Sequence, residues 1–190
     1  MTPFEFVTVL ISIILGLGIT QIMSGIADQI HHWDKVKLYW PHMLWVILVF
    51  ILHVQQWWLT YELRAITTWR LPFFLFEILY PINLFILARI LFPSAGEETF
   101  ADLKKFYFQN YRKFFVIVII LSTLSAIENI VIYDLGIEGW LVNVILLTGL
   151  LVVSVKDIRS ERLHQLIAVA LLIFMVVGIV LHLEDWKISV

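Results

Sequence analysis

Six apolar stretches, each close to the length of a bilayer crossing and joined mostly by short polar segments, constrain this chain more than any other feature. A helix rises about 1.5 Å per residue, so about 20 predominantly apolar residues cross the hydrocarbon layer. The stretches fall at residues 4–30, 40–63, 71–92, 114–133, 138–155 and 163–183, the fifth being the shortest. Only the third connecting segment, 93–113, is long. The expected fold is therefore an all-α integral membrane protein, a single six-transmembrane helix bundle over 1–190 with short loops and no soluble domain. The composition demands the same solvent: 61% of residues are hydrophobic and 15% charged. A water-soluble domain is about half apolar and about a quarter charged. The surplus cannot be hidden in one core, so the lipid bilayer is the expected partner. The N-terminus lacks a basic n-region, and the apolar run from Phe4 is too long for a signal h-region, so it reads as a retained span.

Lysine and arginine set the expected orientation. Loops 1, 3 and 5 carry Lys35, Lys37, Lys104, Lys105, Arg112, Lys113, Lys156, Arg159 and Arg162, whereas the opposite side has only Arg64, Arg70 and Lys187. The odd loops are thus expected inside and both termini outside, in a bacterial-type inner membrane. Trp33 and Trp40 fall at the inner interface, and Trp58, Trp69, Trp140 and Trp186 at the outer one.

Several function classes are excluded early. A net charge of -2 offers no basic stripe for nucleic acid. The chain has no cysteine, hence no disulfide or thiolate chemistry. P-loop, H-E-x-x-H, dinucleotide and potassium-filter signatures are all missing, so no cofactor is expected.

Ionisable groups inside a span are expensive and ask for a partner or a cavity. In the second span His42, His53, Gln56, Thr60 and Arg64 fall within about 80° of one another on a helix. Such a stripe reads as the wall of a hydrated path or as a seam of interhelical hydrogen bonds. In the third, Pro81 follows Glu77 by four residues. Proline has no N–H, so the Glu77 carbonyl loses its helical donor beside the Glu77 carboxyl. That pairing makes either a polar spot or a mere bend. Glu128 and Asn129 in the fourth span and Asn143 in the fifth lie at a similar depth, roughly 6 to 9 Å from the outer ends. His53, Gln56, Glu77, Glu128, Asn129 and Asn143 are therefore the candidate pathway or binding pocket, provided their helices are neighbours.

Span 1 carries a different signal. Ser12, Gly16, Thr20 and Ser24 recur every four residues, and Gly18 and Gly25 add a second row. Small residues let helices approach closely, within one subunit or between copies. Asp28, His31 and His32 have a spacing able to hold a metal, but interfacial residues of these types generally face water, and no metal site is assigned. In the long loop, Thr99 and Asp102 suit a helix start, and Phe100, Leu103, Tyr107 and Tyr111 share one side. Two readings remain: an interfacial helix over 100–112 lying on anionic headgroups, or an extension of the fourth span.

The opening F-E-F-V-T-V-L-I-S-I-I-L-G-L-G-I-T-Q-I-M-S-G-I-A, then Y-W-P-H-M-L-W from Tyr39, Trp57-Trp58 and A-R-I-L-F-P from Ala88 resemble a group of small bacterial multi-pass membrane proteins of uncharacterised activity. The resemblance implies a bacterial source and a shared fold, and supplies no functional residues. Three function classes follow. The leading one is a passive or proton-coupled pathway for a small ion, proton or solute, in which Glu77 and Glu128 bind the cation or proton and His53 relays or gates. The second is a non-transporting oligomeric module: a subunit, scaffold or stress/defence effector acting through span 1 and the basic aromatic loop. The third, an enzyme acting on lipids or quinones, would need an interfacial nucleophile or acid–base pair, and none stands out.

Overall fold

The computed structural model describes residues 2–93, 102–131 and 138–181. Its regular elements are helical: α1 (Pro3–His31), α2 (Trp40–Leu59), α3 (Leu71–Glu77), α4 (Leu79–Ile90), α5 (Leu103–Val131), α6 (Glu138–Val155) and α7 (Glu161–Leu181), with a 3-10 segment, Thr60–Ala65, closing α2. Among the described residues five segments are long and apolar enough to cross a membrane: α1, α2 with its 3-10 extension, α3 with α4, α5 and α7. α6 adds a further apolar helix of 18 residues.

Local chemistry starts these helices. Thr2 caps α1: its hydroxyl accepts the Glu5 N–H at 3.1 Å while the Glu5 carboxylate accepts the Thr2 N–H at 2.9 Å. This reciprocal box satisfies two otherwise orphaned donors. Proline sits in the first turn of α1, α2 and α3, as Pro3, Pro41 and Pro72. Its missing N–H costs nothing there, and its fixed φ suits a helix.

The row Val7, Ile11, Leu15, Gly18, Ile22, Gly25 and Gln29 is the buried face of α1. Lipid is as apolar as leucine, so close packing rather than hydrophobicity must hold such helices together. The two inward glycines supply it. A Cβ on Gly18 would lie 2.1 Å from His53 Nε2, and one on Gly25 would lie 2.3 Å from the Phe92 ring. The row Ser12, Gly16, Thr20 and Ser24 lies on the opposite, outward side: Gly16, Thr20 and Ser24 are exposed, Ser12 is half-buried, and nothing lies within 4 Å of a Cβ on Gly16. Contact within the subunit thus runs through the second row of small residues.

α4 packs against α1, α2 and α5; α2 also meets α1, α5 and α7; and α6 lies on α5. The candidate polar residues lie on α2, α3, α5 and α6; α4, which follows α3, packs against both α2 and α5, and α5 packs against α6.

Within 100–112, residues 100 and 101 lie outside the described residues, and the remainder follows the extension of the fourth span. From Leu103 onward the chain is one unbroken helix of 29 residues, the extension of the fourth span. At 1.5 Å per residue that is about 43 Å, longer than the roughly 30 Å hydrocarbon layer. Its first turns therefore project from the lipid or the helix tilts. Leu103, Phe106, Tyr107, Tyr111 and Phe114 do share a face, but that face is buried in the bundle. The tyrosines and phenylalanines meet aromatic partners from α2 and α7, which the amphipathic pattern alone could not distinguish from headgroups.

Candidate functional site

α3 ends at Glu77 and α4 begins at Leu79, with Ile78 between them at φ -74 and ψ -12. The cause is local. On either side the ladder is intact: the Ile78 N–H reaches Phe74 O and the Ile82 N–H reaches Ile78 O, both at 3.1 Å. The residue owed a donor by position 81 is Glu77, and Pro81 has none to give. The Glu77 side chain is buried at 7% exposure, and its Oε1 finds no hydrogen-bond partner among the described residues. Glu128, half-buried on the neighbouring α5, interacts electrostatically with Glu77 and with the Tyr80 phenol. The Glu77 carboxyl and its released carbonyl thus share one helix break, with the Glu128 carboxyl within electrostatic reach. A cation or an exchangeable proton is the ligand such an all-oxygen set can hold.

The other expected members are placed differently. His53 is fully buried on α2, where its Nδ1 lies 2.8 Å from the Val49 carbonyl and donates to it in that tautomer. Its Nε2 faces the backbone of Gly18 on α1 and has no hydrogen-bond partner among the described residues. His53 is therefore a member of the α1–α2 seam and makes no hydrogen bond to either glutamate among the described residues. Gln56 is half-buried one turn further along, and its carbonyl accepts the Thr60 hydroxyl at 2.8 Å. The side chains of Asn129 and Asn143 lie outside the described residues. At the inner end of α1, His32 Nδ1 meets the backbone carbonyl of Asp28 at 2.8 Å, and His31 and His32 stack edge to face. Among the described residues no three His, Asp or Glu side chains converge as metal ligands.

A second polar constellation has no local signature in the sequence, because Tyr107 and His164 lie 57 residues apart. His164, fully buried on α7, sits between Ile158 O at 2.8 Å from Nε2 and the Tyr107 hydroxyl at 3.0 Å from Nδ1. A neutral ring protonated on Nε2 satisfies both contacts, donating to the carbonyl and accepting from the phenol. Tyr39, Tyr111, Phe108 and Phe115 complete an aromatic shell around Tyr107 and His164. Next to it the Tyr111 hydroxyl donates to Asp157 Oδ1 at 2.7 Å, and the Arg159 guanidinium meets Asp157 Oδ2 at 3.1 Å. Asp157 lies in the α6–α7 turn at φ 47, in the left-handed region that short polar side chains tolerate after a helix end.

The Tyr111 hydroxyl foremost, then Arg159, holds the Asp157 carboxyl below the usual carboxylate range. A group whose folded pKa is depressed contributes stability above its unfolded pKa and loses it as pH falls through the folded one. Acidification through the carboxylate range should therefore lower the melting temperature of the wild type more than that of Asp157→Asn, which keeps the turn but does not titrate. Thermal unfolding across pH reads this directly; parallel curves would remove Asp157 from the acid response.

No family model matches the chain, and neither the curated proteins nor the solved structures yield a match. The fold alone defines its class: an all-helical chain with at least five helices long and apolar enough to cross a membrane.

Proposed function

We propose that this chain is a multi-pass protein of a bacterial inner membrane that provides a passive or proton-coupled path for a small ion, proton or solute. Its six spans run 4–30, 40–63, 71–92, 114–133, 138–155 and 163–183 with both ends outside, α6 serving as the fifth. One observation carries the functional reading: Glu77, buried at a helix break with an unpartnered oxygen, lies near enough to Glu128 to interact with it. Buried ionisable groups within spans mark ion or proton paths more often than they mark packing, because lipid makes them costly to keep. Asn129 follows Glu128 in the sequence, Asn143 and Gln56 stand on α6 and α2, and His53, turned toward Gly18 in the α1–α2 seam, is given no role in the path. The test is flux of protons, K+, Na+ and Cl− into liposomes carrying the purified protein. Flux above empty vesicles for one of them supports the path; none for all four removes the ion and proton path.

The orientation rests on the basic odd loops, which include Lys104, Lys105 and Lys156. The absence of cysteine makes it directly measurable. Lys104→Cys should react with an impermeant maleimide only in inverted vesicles, and Ile137→Cys only in intact cells. The reverse pattern overturns the orientation.

A second reading, an oligomeric module without transport, is favoured by the outward row Ser12, Gly16, Thr20 and Ser24, since among the described residues nothing lies within 4 Å of a Cβ on Gly16. If copies meet there, Gly16→Leu shifts the oligomeric state in detergent; an unchanged state leaves that face to lipid.

A further inference from the structure

Between the first turns of α5 and the α6–α7 turn lies an open depression of about 440 Å³, lined by Asp102, Lys104, Lys105, Phe108, Gln109 and Arg159. We infer that it is a binding site for the phosphate headgroup of an acidic phospholipid. The inference is independent of the proposed ion path.

Depth is the first argument. The Tyr39 ring contacts those of Tyr107 and Phe108 at 5.6 and 6.1 Å, which levels the wall of the depression with the start of α2. The next residue, Trp40, is 50% exposed, and Trp33 and Leu38 nearby are exposed as well. Exposed tryptophan and leucine at a helix start mark the membrane interface. Lys104 and Lys105 lie one helical turn beyond Phe108, away from the apolar run that begins at Phe114, where headgroup phosphates stand.

Charge is the second argument. Lys104 is bound to Glu161 at 2.6 Å and Arg159 to Asp157 at 3.1 Å, with both ends of each pair solvent-exposed. Exposed pairs of this kind contribute about 1 kcal/mol or less, so a phosphate can share their donors. The Asp102 carboxylate is occupied as a helix cap, accepting the Lys105 N–H at 2.9 Å. That fixes the backbone of Lys105 while its side chain remains exposed and makes no ion pair among the described residues. Arg112 acts electrostatically on Asp157, and Lys37 is exposed where its carbonyl accepts the Leu103 N–H at 3.2 Å. Three cations, Lys104, Lys105 and Arg159, thus line the depression with one carboxylate, Asp102. An anion is the ligand that balances them. Phe108, half-buried at the mouth, gives the lipid's glycerol and upper chains an apolar wall, which a free phosphate would not use.

The experiment is melting of the full-length protein in mild detergent, titrated with phosphatidylglycerol, phosphatidylcholine or soluble glycerol 3-phosphate. Phosphatidylglycerol should raise the melting temperature with saturation, and the other two should not. Each basic residue near anionic lipid is worth about 1 kcal/mol, so Lys105→Gln should weaken apparent lipid affinity about fivefold and Lys105→Gln with Arg159→Gln about 25-fold. Arg70→Gln, on the opposite face, serves as the control and should match the wild type. Raising salt from 50 to 500 mM should weaken the effect by screening. Equal stabilisation of the double variant and the wild type would overturn the site. Saturable stabilisation by glycerol 3-phosphate to the same extent would reassign it to a soluble phosphate ligand and overturn the lipid. If the double variant fails to fold, Lys105→Gln alone decides: an affinity equal to that of the wild type rejects the proposal.

Discussion

Gly18→Ala and Gly25→Ala are each expected to destabilise the bundle by about 1–3 kcal/mol, the cost of forcing added carbon into a filled interior. The two differ from an ordinary glycine change because the added atom has no room. At Gly18 it would meet His53 Nε2 at 2.1 Å and Cδ2 at 2.7 Å. His53 cannot swing aside without giving up the bond from Nδ1 to the Val49 carbonyl at 2.8 Å. At Gly25 three carbons of the Phe92 ring lie within 2.5 Å of the new methyl. Gly16→Ala is the internal control: it is the same chemical change on the same helix, with nothing within 4 Å. It should leave stability unchanged or raise it by up to about 1 kcal/mol, the helix-propensity gain of alanine over glycine. Thermal unfolding of the three variants in one detergent makes the comparison. Pairing Gly25→Ala with Phe92→Leu should recover part of the loss, because the two changes share one volume and are therefore coupled. If all three alanine variants melt alike, α1 does not pack through Gly18 and Gly25.

The glycine result also separates what the sequence could tell from what it could not. Apolar length alone located the helices, because a bilayer fixes how long a spanning helix must be. The break at Ile78 was legible as well, since Pro81 removes one identifiable donor whatever surrounds it. Which row of α1 faces inward was not legible: two rows of small residues wind around the same helix, and only the position of His53 and Phe92 chooses between them. The interaction of Glu77 with Glu128 needs the α3–α4 break to lie beside α5, which depth counting assumed; α4, which follows the break, packs on α5. His53 matched the glutamates in depth yet points to α1, because depth along a helix says nothing of azimuth. The Tyr107–His164 contact spans 57 residues and has no local signature. Its one visible trace was the shared face of Leu103, Tyr107 and Tyr111, whose aromatic residues suit a membrane interface as well as they suit a core.

Glu77→Gln and Pro81→Ala should both abolish most of any flux while moving stability in different directions. Losing a charged oxygen from a cation's shell costs about 1.5–3 kcal/mol, which lowers site occupancy about ten- to a hundredfold. The amide also cannot exchange a proton, so a proton path is interrupted outright. Its shape is that of the acid, and it removes one of two carboxyl groups that act on each other, so Glu77→Gln should melt close to the wild type. Pro81→Ala acts from the other side. It returns an N–H to position 81, which claims the Glu77 carbonyl and lets α3 and α4 run on as one helix. Melting should rise or hold, while the carbonyl is withdrawn from the site and flux falls. Glu62→Gln, on the exposed 3-10 segment, should change neither quantity. A structural role for the break makes the opposite forecast. If Pro81 serves to seat α4 against α1, α2 and α5, straightening it should lower stability. If Glu77 is instead the charged partner of a dry network, its amide leaves a charge unmatched at a cost of about 3–5 kcal/mol. Melting and liposome flux recorded on the same preparations therefore divide the readings. Loss of flux at held stability assigns the break to the path, and loss of stability in both variants assigns it to packing.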